Sequence, residues 1–446
     1  MTDTIFALAT APGRAAVAVV RLSGPEAGAA LAALGARELK PRLAALRTLA
    51  APGGERLDRA LALWFPGPAS YTGEDCGELH LHGGSAVVDS VMGALSELGL
   101  RLAEPGEFTR RAFENGKLDL GQAEAVADLV NAECVAQARQ AVAQLGGALG
   151  DRYAGWRQAL IGVLARLEAA VDFPEEDIPA VVEAQARGPL ERLIGDLDAA
   201  LRDGVRGRQV RDGYRVAIVG APNAGKSSFL NAMVRRDAAI VTETPGATRD
   251  VIEAPLQVMG YSVVLADMAG LREAADSVEA EGVRRACVWA ASADLRVWIV
   301  DRAAADGGWR SVLPLVRPGD LCVLNKADLP MSVEGIDAEA TARRLGLETS
   351  RVSLKHADAD PAWRALSARI VRDLAGMDFP ATTRERHVRH LEAARDHLGR
   401  ALAMLDEPEL AGEDVRLASR ALDRVTGRIG VEDVLDEVFA SFCIGK

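Results

Sequence analysis

Apolar residues along this chain recur in two rhythms, and the rhythm changes with position. In the middle third, short β-branched runs alternate with stretches whose apolar positions return every three or four residues. "RVAIVG" (215–220), "YSVVLAD" (261–267), "DLRVWIVD" (294–301) and "DLCVLN" (320–325) read as buried strands. "GKSSFLNAMVRR" (225–236) and "SVEAEGVRRACVWAASA" (277–293) read as helices. That alternation predicts a mostly parallel sheet covered by helices over 213–376. Residues 1–118 mix strands, Pro/Gly turns such as "FPGPASYTGED" and a helix beginning near "GGSAVVDSVMGAL", which predicts a separate α+β domain. From 119 to 212 the chain is rich in Ala and Leu at helical spacing, broken at "DFPEEDIP", and helices resume over 377–446. The simplest architecture is multidomain α/β plus all-α, with the α/β block inserted into a helical domain that is discontinuous in sequence.

Composition adds limits. The 446 residues are 49% hydrophobic and 26% charged, the profile of a globular protein. No apolar stretch reaches membrane-spanning length and the start lacks a secretion signal, so a cytoplasmic protein without a membrane is expected. Cys76, Cys134, Cys287, Cys322 and Cys443 are scattered without a C-x-x-C pair, which fits neither a disulfide framework nor a zinc site. A net charge of −12 argues against general coating of nucleic acid. "RGRQVRDGYR" (206–215) and "RERHVRH" (384–390) are candidate local basic faces, with solvated helix surfaces as the plainer reading. Among 52 basic residues the lysines are Lys40, Lys117, Lys226, Lys326, Lys355 and Lys446 alone, a skew that directs attention to motifs in which a compact ammonium is wanted.

Those lysines point at motifs. "GAPNAGKS" (220–227) matches G-x-x-x-x-G-K-[ST] between a predicted strand and a predicted helix. Asn223, Ala224, Gly225 and Ser228 belong to the phosphate cradle, Lys226 would reach the β- and γ-phosphates, and Ser227 would hold Mg2+. "DMAG" places Asp267 and Gly270 for Mg2+ water and the γ-phosphate, while Thr248 of "TPGATRD" is the candidate switch threonine on Mg2+. In "NKAD", Asn325 and Lys326 precede Asp328, whose carboxylate can accept from guanine N1–H and its amine; adenine offers no such pair. GTP is therefore expected rather than ATP. The water-orienting glutamine of Ras-like enzymes is replaced by Leu271, leaving Glu273, Asp276, Glu279 and Glu281 as acidic candidates or as surface charge on a switch helix.

"PGRAAVAVVRLSG", "PGEFTRRAFENGKLDLGQAEAVADL", the four nucleotide motifs and the terminal "FCIGK" together resemble the MnmE (TrmE) family of tRNA uridine 5-carboxymethylaminomethyl modification GTPases, over essentially the whole chain. The resemblance implies an N-terminal folate-binding and dimerising domain (1–118), a helical domain in two parts (119–212 and 377–446) and an inserted Ras-like P-loop GTPase domain (213–376). It also implies 5-formyl- or 5,10-methylene-tetrahydrofolate contacted by Arg21, Glu78, Lys117 and Lys446; surface ion pairing is the plainer reading of each. K+ would replace an arginine finger, held by Asn223 with Thr242, Thr244 and Ala247, and Glu279 would orient water. Thr242, Thr244 and Ser353 would complete the GTP contacts. A homodimer is implied, together with the partner MnmG (GidA) carrying FAD and using NADH, in a heterotetramer or larger complex that acts on tRNA. The chain departs from the family at Ala247, Met268 and Leu354, which puts rate and affinity in question.

The C-x-G-K ending of the family gives Cys443 a place beside the folate chemistry, as a nucleophile or as a packing residue. A ribosome-assembly GTPase of the Era or Der type is the rival reading, but its RNA-binding module or second GTPase domain is not evident. A stand-alone folate-dependent aminomethyltransferase sits poorly with the intact phosphate loop.

Overall fold

The computed structural model describes residues 3–172, 178–236, 252–268, 288–356, 358–376, 380, 382–429, 435, 438–439 and 442–445, with backbone alone at 178–184 and 252. Two compact units form: Met1–Asn131, Ala141–Asp198 and Arg386–Lys446 make one, and Ala132–Gln140 with Ala199–Glu385 make the other.

The first unit opens with a mixed sheet of β1 (Ile5–Leu8), β2 (Val17–Ser23), β3 (Ala45–Ala50), β4 (Arg56–Phe65), β5 (Cys76–His82) and β6 (Arg101–Leu102), in the order β3-β4-β5-β2-β1-β6. Only the β1–β6 pair is parallel. Helices α1 (Ala27–Ala33) and α2 (Ser85–Glu97) send Leu31 and Val91 onto Phe6, Val20, Leu22 and Leu79. Side chains alternate along a strand, so Ile5 and Ala7 face the other way, where Phe108 of α3 (Glu107–Glu114) covers them.

Helix α4 (Leu120–Val130) starts in a capping box: Gln122 N–H donates to Asp119 at 2.7 Å and Asp119 N–H donates to Gln122 at 2.9 Å. It is followed by α5 (Val135–Leu145), α6 (Ala148–Asp172) and α7 (Ile178–Asp212); of the break expected at 172–179, residues 173–177 lie outside the described residues.

The second unit is built on β7 (Tyr214–Gly220), α8 (Lys226–Arg236), β8 (Ile252–Val258), β9 (Tyr261–Asp267), β10 (Leu295–Asp301), β11 (Leu321–Asn325), α9 (Val333–Arg344), β12 (Glu348–Arg351) and α10 (Asp360–Leu374). Strand order is β12-β11-β10-β7-β9-β8, parallel except for the β8–β9 hairpin. Val216 and Ile218 meet Phe229 of α8 and Leu366 and Ile370 of α10; Ala217 and Val219 meet Ala338 and Ala342 of α9. Both faces are thus buried, which is why these strands read as continuous apolar runs. The four predicted strands are present, and α8 agrees within one residue. Of the predicted 277–293 helix, 288–292 is described and helical, while the remainder lies outside the described residues except Ala293. Strands β8 and β12 were not predicted: Pro255 breaks the strand pattern and is tolerated because β8 is an edge, and "ETSR" is a polar edge strand.

The chain then returns to the first unit through α11 (Glu385–Ala403) and α12 (Pro408–Thr426). Buried positions fall alternately four and three apart in α6 (Leu149, Tyr153, Trp156, Leu160, Val163, Leu167), α11 (His387, Leu391, Ala394, Leu398) and α12 (Ala411, Val415, Ala418, Leu422). Among the described residues no helix is long and apolar enough to cross a membrane.

One stripe position of α11 is polar. His387 is buried, and its Nε2 lies 3.1 Å from Glu124 of α4, whose two oxygens also accept from Arg386 Nε at 2.7 Å and Nη2 at 2.9 Å. Burial alone would raise the Glu124 carboxyl pKa, but the charges of Arg386 and His387 outweigh it and hold the group well below the carboxylate range. Removing one member of such a set strands the others, so Glu124→Gln should cost about 3–5 kcal/mol in urea unfolding of the helical part. The sign with pH follows from a depressed carboxylate: the stabilisation is whole above an unfolded pKa of about 4.3 and is lost as pH falls below it. Wild type should therefore lose its advantage over Glu124→Gln on acidification below about pH 4.5; a constant difference would contradict the charged assignment.

Candidate functional site

The loop between β7 and α8 turns through Asn223 at φ 61° and Gly225 at φ 105°. Gly225 is required by close approach as well as by φ, because a Cβ there would sit 2.2 Å from Asn325 Nδ2. Asn325, at the end of β11, donates from Nδ2 to Ala224 O at 2.8 Å and accepts from Leu354 N–H at 3.2 Å. Lys226 is nearly buried, and its Nζ donates to the carbonyls of Gly220 and Ala221 at 3.0 Å each. The ammonium is thus held along the loop where phosphates would lie.

Ser227 Oγ donates to Asp267 Oδ2 at 2.6 Å. Asp267 is buried, and its Oδ1 has no partner among the described residues. A hydroxyl beside an unsatisfied buried carboxylate oxygen suits Mg2+, bound by the serine and reached by the aspartate through water. Ser228 follows, exposed, in the first turn of α8.

On the base side, Ser353 Oγ donates to Asp328 Oδ1 at 2.6 Å, and this bond is the main reason the Asp328 carboxyl lies below its ordinary pKa. His356 Nε2 is 3.8 Å from Asp328 Oδ2. Lys326, at φ 60°, places Nζ 2.5 Å from Asp301 Oδ2. Asp301 and His356 went unnoticed in the sequence; the parallel register that sets Asp301 opposite Asn325 is what brings the first into the site. The structure thus gathers Asn223, Ala224, Gly225, Lys226, Ser227, Asp267, Asn325, Lys326, Asp328 and Ser353 along one edge of the sheet. Thr242, Thr244, Ala247, Thr248, Gly270 and Glu279 lie outside the described residues, as do Leu271, Glu273, Asp276 and Glu281.

In the first unit, Arg21 on β2 and Glu78 on β5 are register partners, and Arg21 Nε and Nη2 donate to Glu78 Oε1 at 3.1 and 2.9 Å. His80 Nε2 is 3.2 Å from Glu78 Oε2. The Arg21 guanidinium lies 5.4 Å from the Tyr71 ring centroid and 5.9 Å from that of Phe108. Lys117 Nζ donates to Pro68 O at 3.0 Å, on the same loop as Tyr71. Tyr71 and His80 are additions the sequence did not single out. The exposed Cys443 accepts through its carbonyl from Gly106 N–H at 3.4 Å, and Ile444 bridges to Pro105. A Cβ on Gly445 would lie 2.3 Å from Leu8 O, so the tail is seated against β1 and the start of α3. Lys446 lies outside the described residues.

The MnmE helical domain family matches residues 120–443, and the GTP-binding protein TrmE N-terminus family matches residues 4–117. The chain belongs to the MnmE (TrmE) family. Relatives named tRNA modification GTPase MnmE align from end to end: that of Phenylobacterium zucineum is 55% identical over 449 residues and that of Caulobacter vibrioides 56% over 457, each covering 100% of both chains. The G domain of the T. maritima FeoB iron transporter is a solved structure with 21% identity, covering 36% of this chain and 99% of its own, at a TM-score of 0.27.

Asp328→Asn should replace the acceptor expected to face guanine with a donor. GTP affinity is expected to fall about a hundredfold, the ~3 kcal/mol scale of a lost charged hydrogen bond, with xanthosine triphosphate becoming the better ligand. Retained preference for GTP would remove Asp328 as the base reader.

Proposed function

We infer that this chain, a GTP hydrolase of tRNA modification, uses nucleotide turnover to drive closure around a separate one-carbon site. The reading installs a 5-carboxymethylaminomethyl group on the wobble uridine of certain tRNAs, with a tetrahydrofolate one-carbon unit and an FAD-containing MnmG partner, the chain acting as a homodimer. What supports it is the presence in one chain of two separate clusters, the phosphate loop tied to Asn325 and the Arg21–Glu78 pair. Phosphoryl transfer supplies no carbon, so the second cluster needs its own chemistry.

In that cluster Glu78 would accept from the donor edge of a pterin, and Arg21 and Lys117, with Lys446, would meet the carboxylates of a folate glutamate tail. Tyr71 flanks Arg21 and is exposed, so it offers flat apolar surface for a ring, while the buried Phe108 backs the guanidinium. Cys443 stands at the tail as nucleophile or packing residue. On the nucleotide side, Ser227 and Thr248 would hold Mg2+. Asn223 with Thr242, Thr244 and Ala247 would hold K+, and Glu279 would orient the attacking water in place of the missing glutamine.

Exposed Asn223 at the loop tip, with Leu271 where Ras-like enzymes carry glutamine, motivates the potassium site and a water-orienting residue placed elsewhere. GTP turnover measured in potassium should exceed that in sodium, and Glu279→Ala should slow it by roughly a hundredfold or more with GTP binding kept. Equal rates in the two salts would sink the potassium site; loss of binding in Glu279→Ala would assign the residue to structure.

A further inference from the structure

Two arginine-rich stretches stood out in the sequence, and the nucleotide and folate sites use neither. The fold brings their ends together. A cavity of about 350 Å³ opens beside the N-terminal ends of β7 and β10, lined by Arg208, Arg211, Arg215 and Arg384, with Asp212, Asp294 and Glu385 as its carboxylates. The phosphate loop leaves the opposite end of β7, seven residues away, or roughly 20 Å at ~3.3 Å per residue. The cavity is therefore distinct from the GTP site.

Its carboxylates are arranged to give way. Arg208 pairs with Glu385 and Arg211 Nη1 with Asp212 Oδ1 at 2.8 Å. In each pair the acid is the outer member: Glu385 is 65% exposed against 31% for Arg208, and Asp212 57% against 29% for Arg211. Pairs of this kind contribute only ~0–1 kcal/mol, so a multiply charged anion can replace the acids while they turn to water. Asp294 is different, since it is fixed in the wall by neutral donors: Gln209 Nε2 and the Arg215 N–H, each at 2.8 Å. Arg215 is held from the side, its guanidinium 4.6 Å over the Trp289 ring, which Glu253 orients through Nε1 at 2.8 Å. Stacking uses the face of a guanidinium and leaves its N–H edge for acceptors.

Four guanidiniums against three carboxylates make a locally basic recess on a chain of net charge −12. Arginine forks match phosphate oxygens two at a time. We propose that this recess docks the RNA backbone, taking phosphodiester groups of the tRNA at the end of the α/β unit remote from its nucleotide loop. The proposal rests on the tRNA-modifying reading above.

The test uses the full chain with the double variant Arg208→Ala/Arg215→Ala, its lysine counterpart, and a fluorescent unmodified tRNA titrated between about 50 and 200 mM salt. The alanine variant should bind tRNA at least tenfold more weakly and flatten the log–log salt slope by about 1.5, at roughly 0.7–0.9 for each phosphate no longer neutralised. The lysine variant should keep most of the slope, and GTP turnover should match wild type in both. An unchanged affinity and slope in the alanine variant would overturn the proposal, as would displacement of wild-type tRNA by about 10 mM inorganic phosphate, which marks a free-anion site. If wild type itself bound no tRNA, the tRNA reading would fail before the recess was in question. Should alanine disturb turnover, the lysine pair decides: a lysine variant that turns over GTP normally but loses the slope overturns the claim, and one that keeps it upholds it.

Discussion

The carboxamide of Asn325 donates to Ala224 and accepts from Leu354, so the loop that would hold phosphates and the loop that would hold the base are tied together. The bond exists because Gly225 has no side chain; a Cβ would stand 2.2 Å from the donating nitrogen. Strand order does the rest. β7 lies between β9 and β10 with β11 next along, so Gly220, Asp267, Asp301 and Asn325 all end on one edge at the point where the winding of the sheet reverses. A nucleotide bound there would face the Lys226 ammonium, the Ser227 hydroxyl and Asp267 on the phosphate side, and Asp328 on the base side.

The first unit obeys a different constraint. Its mixed sheet places Arg21 against Glu78 by antiparallel register, and a Pro/Gly loop brings Tyr71 alongside. The helical part is held by apolar stripes and by a buried charged set, Glu124 with Arg386 and His387. That set sits where the chain re-enters the unit from the inserted block, so the continuity of a domain interrupted in sequence depends on a long-range ion cluster as well as on packing. Removing either partner would leave a charge buried.

Much of the α/β unit was legible because buried parallel strands are written as uninterrupted apolar runs and because the phosphate loop fixes its own flanks. Edge strands were not: β8 carries Pro255 and β12 is polar, since each has only one neighbouring strand to satisfy. The stripe of α11 was legible apart from His387, whose partner Glu124 is 263 residues away; nothing local announces such a pair. In the N-terminal part, the sequence motifs supplied Arg21, Glu78 and Lys117 through resemblance, whereas Tyr71 is placed by a turn whose path no periodicity encodes. Asp301 likewise reaches the site through strand register, whereas His356 sits three residues beyond Ser353 on the base loop itself. The two arginine runs were visible as charge, and only the fold shows that they share a recess.

The central claim is that one chain carries two separable sites, a guanine-nucleotide edge and a one-carbon site served by the tail. Mass analysis of wobble nucleosides from a strain lacking this chain, complemented either by wild type or by a chain without residues 443–446, tests it most directly. The account predicts that wild type restores the modified uridine and the shortened chain does not, although the purified shortened protein still hydrolyses GTP. Full restoration by the shortened chain, or loss of its GTP hydrolysis, would contradict the separation.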